Sequence, residues 1–122
     1  MEYKMNMDEL VDMLTRKIAD AAYRARITEH LHDIGFDQFN IGQESASMSD
    51  HAFAWMETLN TMTGTEKGNL IYQAARCDAA GDIQRIINEQ SGKRERVVAL
   101  LSAAGYDGEV ISNALARAYG ED

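Results

Sequence analysis

The sequence predicts an all-α protein, folded as a compact bundle or as stacked hairpins of about six helices. Apolar residues recur every three or four positions, and the period-two alternation of strands persists nowhere. Residues that favour helix starts, such as Thr65 and Asp107, and glycines that favour helix ends, such as Gly64 and Gly105, separate the apolar stretches. With 122 residues and 45% hydrophobic composition, residues 1–122 are expected to form a single domain with its own core.

The first predicted helix starts near Asn6 or Asp8, and its apolar pattern changes phase part-way along. Two stripes lie almost half a turn apart: Leu10, Leu14, Ile18, Ala21 and Ala25 form the first, and Ile27, Leu31 and Ile34 form the second. Two interpretations stay open. Either the helix breaks near Arg24–Arg26, or one long helix serves two packing surfaces and leaves part of itself for a partner.

The remaining helix boundaries follow from turn-forming and capping residues. Gly35 is expected to end the first helix, and residues 36–47 have the composition of an irregular segment. Ser47 or Ser49 then caps a helix that reaches Thr63. The next helix is predicted over residues 66–78 and is followed by a break at Gly81. A short helix follows over residues 82–90, and the last two helices begin after caps at Ser91 and Asp107. Helical spacing turns these apolar residues inward: Ala52, Phe53, Met56, Leu59, Met62, Leu70, Ile71, Ala74 and Ala75.

Composition and charge restrict the class of protein. The net charge is −8, and Cys77 is the single cysteine, which excludes an internal disulfide and fits a reducing compartment. Neither a signal-peptide pattern nor an apolar run long enough for a membrane span is present. We therefore expect a cytoplasmic protein that binds neither nucleic acid directly nor membranes, and its oligomeric state stays open.

The most informative charge feature is that residues 27–66 contain seven acids and no lysine or arginine. An acidic surface of this kind favours basic partners and repels nucleic acid. Trp55 lies at the margin of the apolar arc of its helix, where interface aromatics often occur, although burial in the core is the more ordinary role. The residues predicted to contact a partner are Asp33, Asp37, Asp50, Trp55 and Glu57.

No motif in the chain indicates catalysis, a cofactor or a metal. Glu29 and His32 have the Glu-x-x-His spacing of di-iron bundles, but those sites need a second copy and two further glutamates. The favoured function is a non-catalytic, regulatory interaction protein that binds a basic surface of a protein partner. One alternative is a nucleic-acid mimic acting on a nucleic-acid-binding complex, similar in size and charge to phage and plasmid inhibitors such as anti-CRISPR and anti-restriction proteins. A small helical enzyme is the second alternative.

The segment LLSAAGYDGEVISNAL, residues 100–115, resembles the first two helices of a ubiquitin-associated domain. Gly105 and Tyr106 match the loop of that family, and Ala114 and Leu115 match the alanine–leucine pair in its second helix, whereas Ala104 replaces the usual methionine. The resemblance implies a helical hairpin here, and it transfers no binding residue to this chain.

Overall fold

Five α-helices make up the part of the chain that the computed structural model describes, residues 6–120; the first five and last two residues of the predicted domain lie outside it. The elements are α1 (Met7–Asp33), a 3-10 turn (Gln38–Asn40), α2 (Ile41–Thr63), α3 (Lys67–Glu89), α4 (Lys93–Ala103) and α5 (Gly108–Tyr119). Residues 6–120 contain no strand, so the all-α prediction is confirmed, with five helices instead of six. No helix in this range has the length and hydropathy that crossing a bilayer requires.

The first helix, α1, continues without a break through Arg24–Arg26 and packs against two surfaces. At its start, the Asn6 side chain accepts a hydrogen bond from the Glu9 backbone N–H at 2.8 Å. The first apolar stripe packs against α2 and α3, whereas Ile27 and Leu31 are buried in a second cluster that α4 and α5 complete. The part of α1 beyond the phase change is therefore covered by the chain's own helices.

The connection between α1 and α2 is shorter than predicted. α1 ends as expected, with Gly35 in the left-handed region at φ 86° and Phe36 packed back on the core at 4% exposure. α2 already begins at Ile41, so the irregular segment predicted over residues 36–47 is wrong in its second half, and the predicted cap at Ser47 or Ser49 is wrong as well.

Close helix packing explains why this stretch has the composition of a loop. A Cβ atom at Gly42 would lie 2.9 Å from the Nδ1 atom of the exposed His32 side chain on α1, so a larger residue here would require the imidazole to shift. Ser45 is buried, and its hydroxyl donates a 2.8 Å hydrogen bond to the Ala25 carbonyl of α1. Small residues here let α2 lie close against α1, and they do not mark a turn.

α3 is one helix where the sequence predicted two. Gly81, the expected break, lies on the outer side, and a Cβ atom placed there would meet no atom within 4 Å. Glycine inside a helix costs about 1 kcal/mol relative to alanine. Burial of Ala79, Ile83 and Ile86 on the inner side outweighs this cost, because burying one large aliphatic side chain contributes about 1.5–3 kcal/mol.

Continuity of α3 also changes which residues face the core. Leu70 and Ala74, predicted to be buried, face solvent, and Leu70 is 72% exposed. Tyr72 faces inward instead, beside Ala75, whose predicted burial is confirmed, since both continue the buried stripe of the second half of the helix. The sequence predicted burial of Leu70 and Ala74 because a helix that ended before Gly81 would be free to turn a different side towards the core.

The C-terminal hairpin of α4 and α5 matches the prediction closely. Gly105 ends α4 at φ 92°, and the Asp107 side chain accepts a hydrogen bond from the Val110 backbone N–H at 2.9 Å. The start of α4 differs, because Gly92 is the N-cap residue and makes no side-chain cap, so the predicted Ser91 cap is wrong.

Candidate protein-binding surface

Asp50, Phe53 and Glu57 form one exposed stripe on α2, which we call the acidic stripe. Asp50 and Glu57 both face solvent two turns apart, since seven residues return a helix to nearly the same direction. Phe53 lies between them and is 51% exposed. α2 contains no lysine or arginine, and neither carboxylate forms an ion pair with another residue in the range 6–120.

Phe53 is the residue that sequence reasoning missed, because its helical position predicted burial. Its ring rests against the ring of Tyr72 at a centroid distance of 5.2 Å, and Tyr72 is itself only 7% exposed. The guanidinium of Arg76 lies 5.6 Å from the centre of the Tyr72 ring on the α3 side. Phe53 is therefore held from behind while its outer half stays open. A usable signal was present, since Phe53 lies within one turn of both Asp50 and Glu57.

Trp55 lies away from the acidic stripe. Five residues separate it from Asp50, which places it about 140° further around the helix. Its ring packs against the core cluster of α1 and α2, 5.8 Å from the His51 ring. The Nζ atom of Lys17 on α1 lies 5.2 Å from the ring centre. Trp55 is thus partly buried and already has a cation beside it.

Asp33 and Asp37 lie at the opposite end of α2 from Glu57. Asp33 is the last residue of α1, where the negative end of the helix dipole disfavours a carboxylate. Asp37 is exposed in the connection before α2, where it lines a shallow cavity of about 180 Å³. Asp50 is about 14 Å along the α2 axis from its first residue. The five predicted contact residues therefore do not form one continuous patch.

Residues 27–66 contain no lysine or arginine, but residues of other helices contact some of the acids in this segment. Glu29 pairs with Arg76 of α3 at 3.2 Å. Burial raises the pKa of the Tyr106 phenol, and the nearby Glu44 carboxylate raises it further, but the Tyr106 hydroxyl forms no hydrogen bond of good geometry within residues 6–120. Neighbouring helices thus occupy part of the acidic segment, whereas the acidic stripe stays open, as do Asp33, Asp37 and Glu66.

Glu29 and His32 do not converge on a common site. Glu29 pairs with Arg76, whereas the His32 ring lies against the backbone of α2 at Gly42. Within residues 6–120, no group of three or more histidine, cysteine, aspartate or glutamate side chains is arranged to hold a metal ion.

Comparison of the chain with family models, with curated proteins and with solved structures finds no match.

Proposed function

We propose that the protein is a non-catalytic, regulatory interaction protein that binds a basic surface of a protein partner through the acidic stripe of α2. The observation that most supports this is the half-exposed Phe53 ring between the carboxylates of Asp50 and Glu57, which form no ion pair within residues 6–120. Aromatic anchors within a polar rim are typical of the residues that dominate binding energy.

The two kinds of side chain have separate roles in this proposal. Asp50 and Glu57 steer a basic partner towards α2 and set the association rate, which salt then lowers. Phe53 inserts into an apolar pocket of the partner and slows dissociation, because Tyr72 already holds its ring in place. The interface includes Asp33, Asp37 and Trp55 only if the partner wraps around the end of the bundle.

Charge density favours an ordinary protein partner over nucleic-acid mimicry. Asp50 and Glu57 place two negative charges along about 10 Å of helix, from seven residues at about 1.5 Å rise. B-DNA places about six phosphate charges in that length, at one per about 1.7 Å. The acidic stripe therefore matches a local basic patch better than a groove that binds nucleic acid.

The test begins with affinity capture from the native host and quantitative mass spectrometry. Proteins bound by the wild type are compared with those bound by Phe53→Ser, by the double variant Asp50→Lys/Glu57→Lys, and by the control Asp78→Lys, which reverses an exposed charge on α3. The partner should disappear from both stripe variants and persist with the control. Equal capture by all four proteins would refute the proposal.

Binding kinetics of the captured partner then separate the two roles. Reversing Asp50 and Glu57 should slow association and flatten its dependence on salt, whereas Phe53→Ser should mainly speed dissociation. A nucleic-acid mimic would instead bind in competition with DNA or RNA, so a partner displaced by nucleic acid would favour that alternative.

A further inference from the structure

We propose that the pocket between α1, α3 and α4 binds a small amphiphilic carboxylate, meaning a monocarboxylate with a short aliphatic or aromatic tail. The pocket has a volume of about 290 Å³. Its lining consists of apolar and basic side chains: Ile34, Ile87, Leu100, His30, Lys93 and Arg96. We call it the basic pocket.

The charge of the basic pocket is opposite to that of the whole chain. The chain has a net charge of −8, yet every ionisable side chain that lines this pocket is basic. Arg96 is fixed in place, because its Nε donates to the Gln90 carbonyl at 2.6 Å and its Nη2 donates to the Ile87 carbonyl at 3.2 Å. These acceptors are uncharged, and Arg96 forms no ion pair with an acid among residues 6–120.

His30 is the ionisable side chain of α1 in the pocket lining. Burial and then the charge of Arg26, one turn earlier on α1, lower the pKa of His30, while Asp33 opposes this shift. His30 therefore contributes mainly a neutral ring that can donate a hydrogen bond, and Arg96 and Lys93 supply the charge.

Lys93 occupies a position that helix stability does not explain. It is the first residue of α4, where the positive end of the helix dipole disfavours a cation. An anion in the basic pocket would approach the Lys93 ammonium, which lines it, whereas the Glu95 carboxylate lies over Gly92 at the start of the helix. A bound carboxylate would thus complement the cation that the helix dipole disfavours.

Shape and polarity restrict the ligand to a small molecule with an apolar part. Ile34, Ile87 and Leu100 form the apolar side of the pocket, which an inorganic phosphate would leave without a contact. Pockets for drug-sized ligands have volumes of about 300–1,000 Å³, so this one suits a ligand at the small end of that range. A carboxylate carries the charge that the basic side requires.

Titration of the protein with octanoate, followed by calorimetry and by NMR of the His30 ring, tests the proposal. Octanoate should saturate one site and shift the His30 resonances, whereas octylammonium, with the same tail and the opposite charge, should not. Failure of octanoate to saturate the site below about 5 mM, which corresponds to a binding free energy of about −3 kcal/mol, would overturn the proposal. Equal binding of octylammonium would overturn it too.

Two variants assign the binding to this pocket. Lys93→Ala removes an exposed cation without disturbing the core and should weaken octanoate about three- to tenfold. Lys67→Ala removes a comparable exposed lysine at the start of α3 and should leave the affinity unchanged. Lys93 also lines the neighbouring cavity that contains Asp37 and Tyr119, so the shifted ring identifies the site. Equal affinity in all three proteins, or shifts at Tyr119 instead of His30, would show that octanoate binds elsewhere.

Discussion

The ring of Phe39 stacks on the ring of Tyr106 at a centroid distance of 5.4 Å and an angle of 25°. This contact joins the connection between α1 and α2 to the turn between α4 and α5. Phe39 adopts φ 62°, in the left-handed region, where a bulky residue is strained by about 1–3 kcal/mol. The stacking therefore holds a strained residue that fixes where α2 begins.

Two substitutions at Phe39 separate the ring contact from the strain. Phe39→Ala removes the ring and keeps a side chain at positive φ, so it should lower the free energy of unfolding by about 2–3 kcal/mol. Phe39→Gly removes the ring and relieves the strain, so it should be less destabilising than alanine by about 1 kcal/mol. Urea denaturation measures both, and glycine proving the more destabilising of the two would contradict the strained conformation.

The C-terminal ends of helices could be predicted from the sequence because they depend on a few neighbouring residues, whereas the N-terminal caps predicted at Ser47 or Ser49 and at Ser91 were wrong. Gly35, Gly64 and Gly105 all adopt positive φ at helix ends, and Asp107 caps α5 as predicted. The continuity of α3 could not be predicted in this way. Gly81 is tolerated only because distant helices bury the opposite side of α3, and that information is not local.

For the candidate surface too, features that depend on local spacing could be predicted, and features that depend on other helices could not. Exposure of Asp50 and Glu57 agrees with their helical spacing. The position of Phe53 within one turn of both acids hinted at its exposure, but the contact that holds its ring comes from Tyr72 of α3, which the local sequence does not reveal. Trp55 lies at the margin of the apolar arc, as its helical position predicted. The Lys17 ammonium beside its ring belongs to α1, so the sequence of α2 alone could not predict this contact.

Two glycine-to-alanine substitutions within α3 should have opposite effects. Gly81→Ala should raise the free energy of unfolding by about 0.5–1 kcal/mol, because the site is helical and open. Gly68→Ala should lower it, because the new Cβ would lie 2.8 Å from the Met56 carbonyl oxygen of α2. Thermal and urea denaturation compare the two variants, and a destabilising Gly81→Ala would indicate that α3 is broken there.

Leucine truncations should distinguish the core from the surface. Leu101 and Leu115 are buried in the C-terminal hairpin, so Leu101→Ala and Leu115→Ala should each destabilise by about 2–5 kcal/mol. Leu70→Ala is the matched control and should change stability by less than about 0.5 kcal/mol, because Leu70 is 72% exposed. Unchanged denaturation midpoints in both core variants would place the hairpin outside the core.

Two tyrosines should make stability fall at high pH. Burial raises the pKa of Tyr23 to about 12, helped by its 2.6 Å hydrogen bond to Asp82, and burial raises the pKa of Tyr106 to about 12, helped by Glu44. In the unfolded chain both phenols ionise near pH 10. The folded state therefore favours the protonated phenols, so their contribution is complete below about pH 10 and is lost as the pH rises towards 12.

Absorbance of phenolate near 295 nm measures this directly. The folded wild type should show a late ionisation step that is absent in concentrated guanidinium, where all phenols are solvated. Tyr23→Phe and Tyr106→Phe should each remove part of that step. Tyr23→Phe should also reduce the fall in the free energy of unfolding between about pH 10 and 12, because residue 23 then has no phenol that ionises beside Asp82. Ionisation of every phenol near pH 10 in the folded wild type would show that neither hydroxyl is protected.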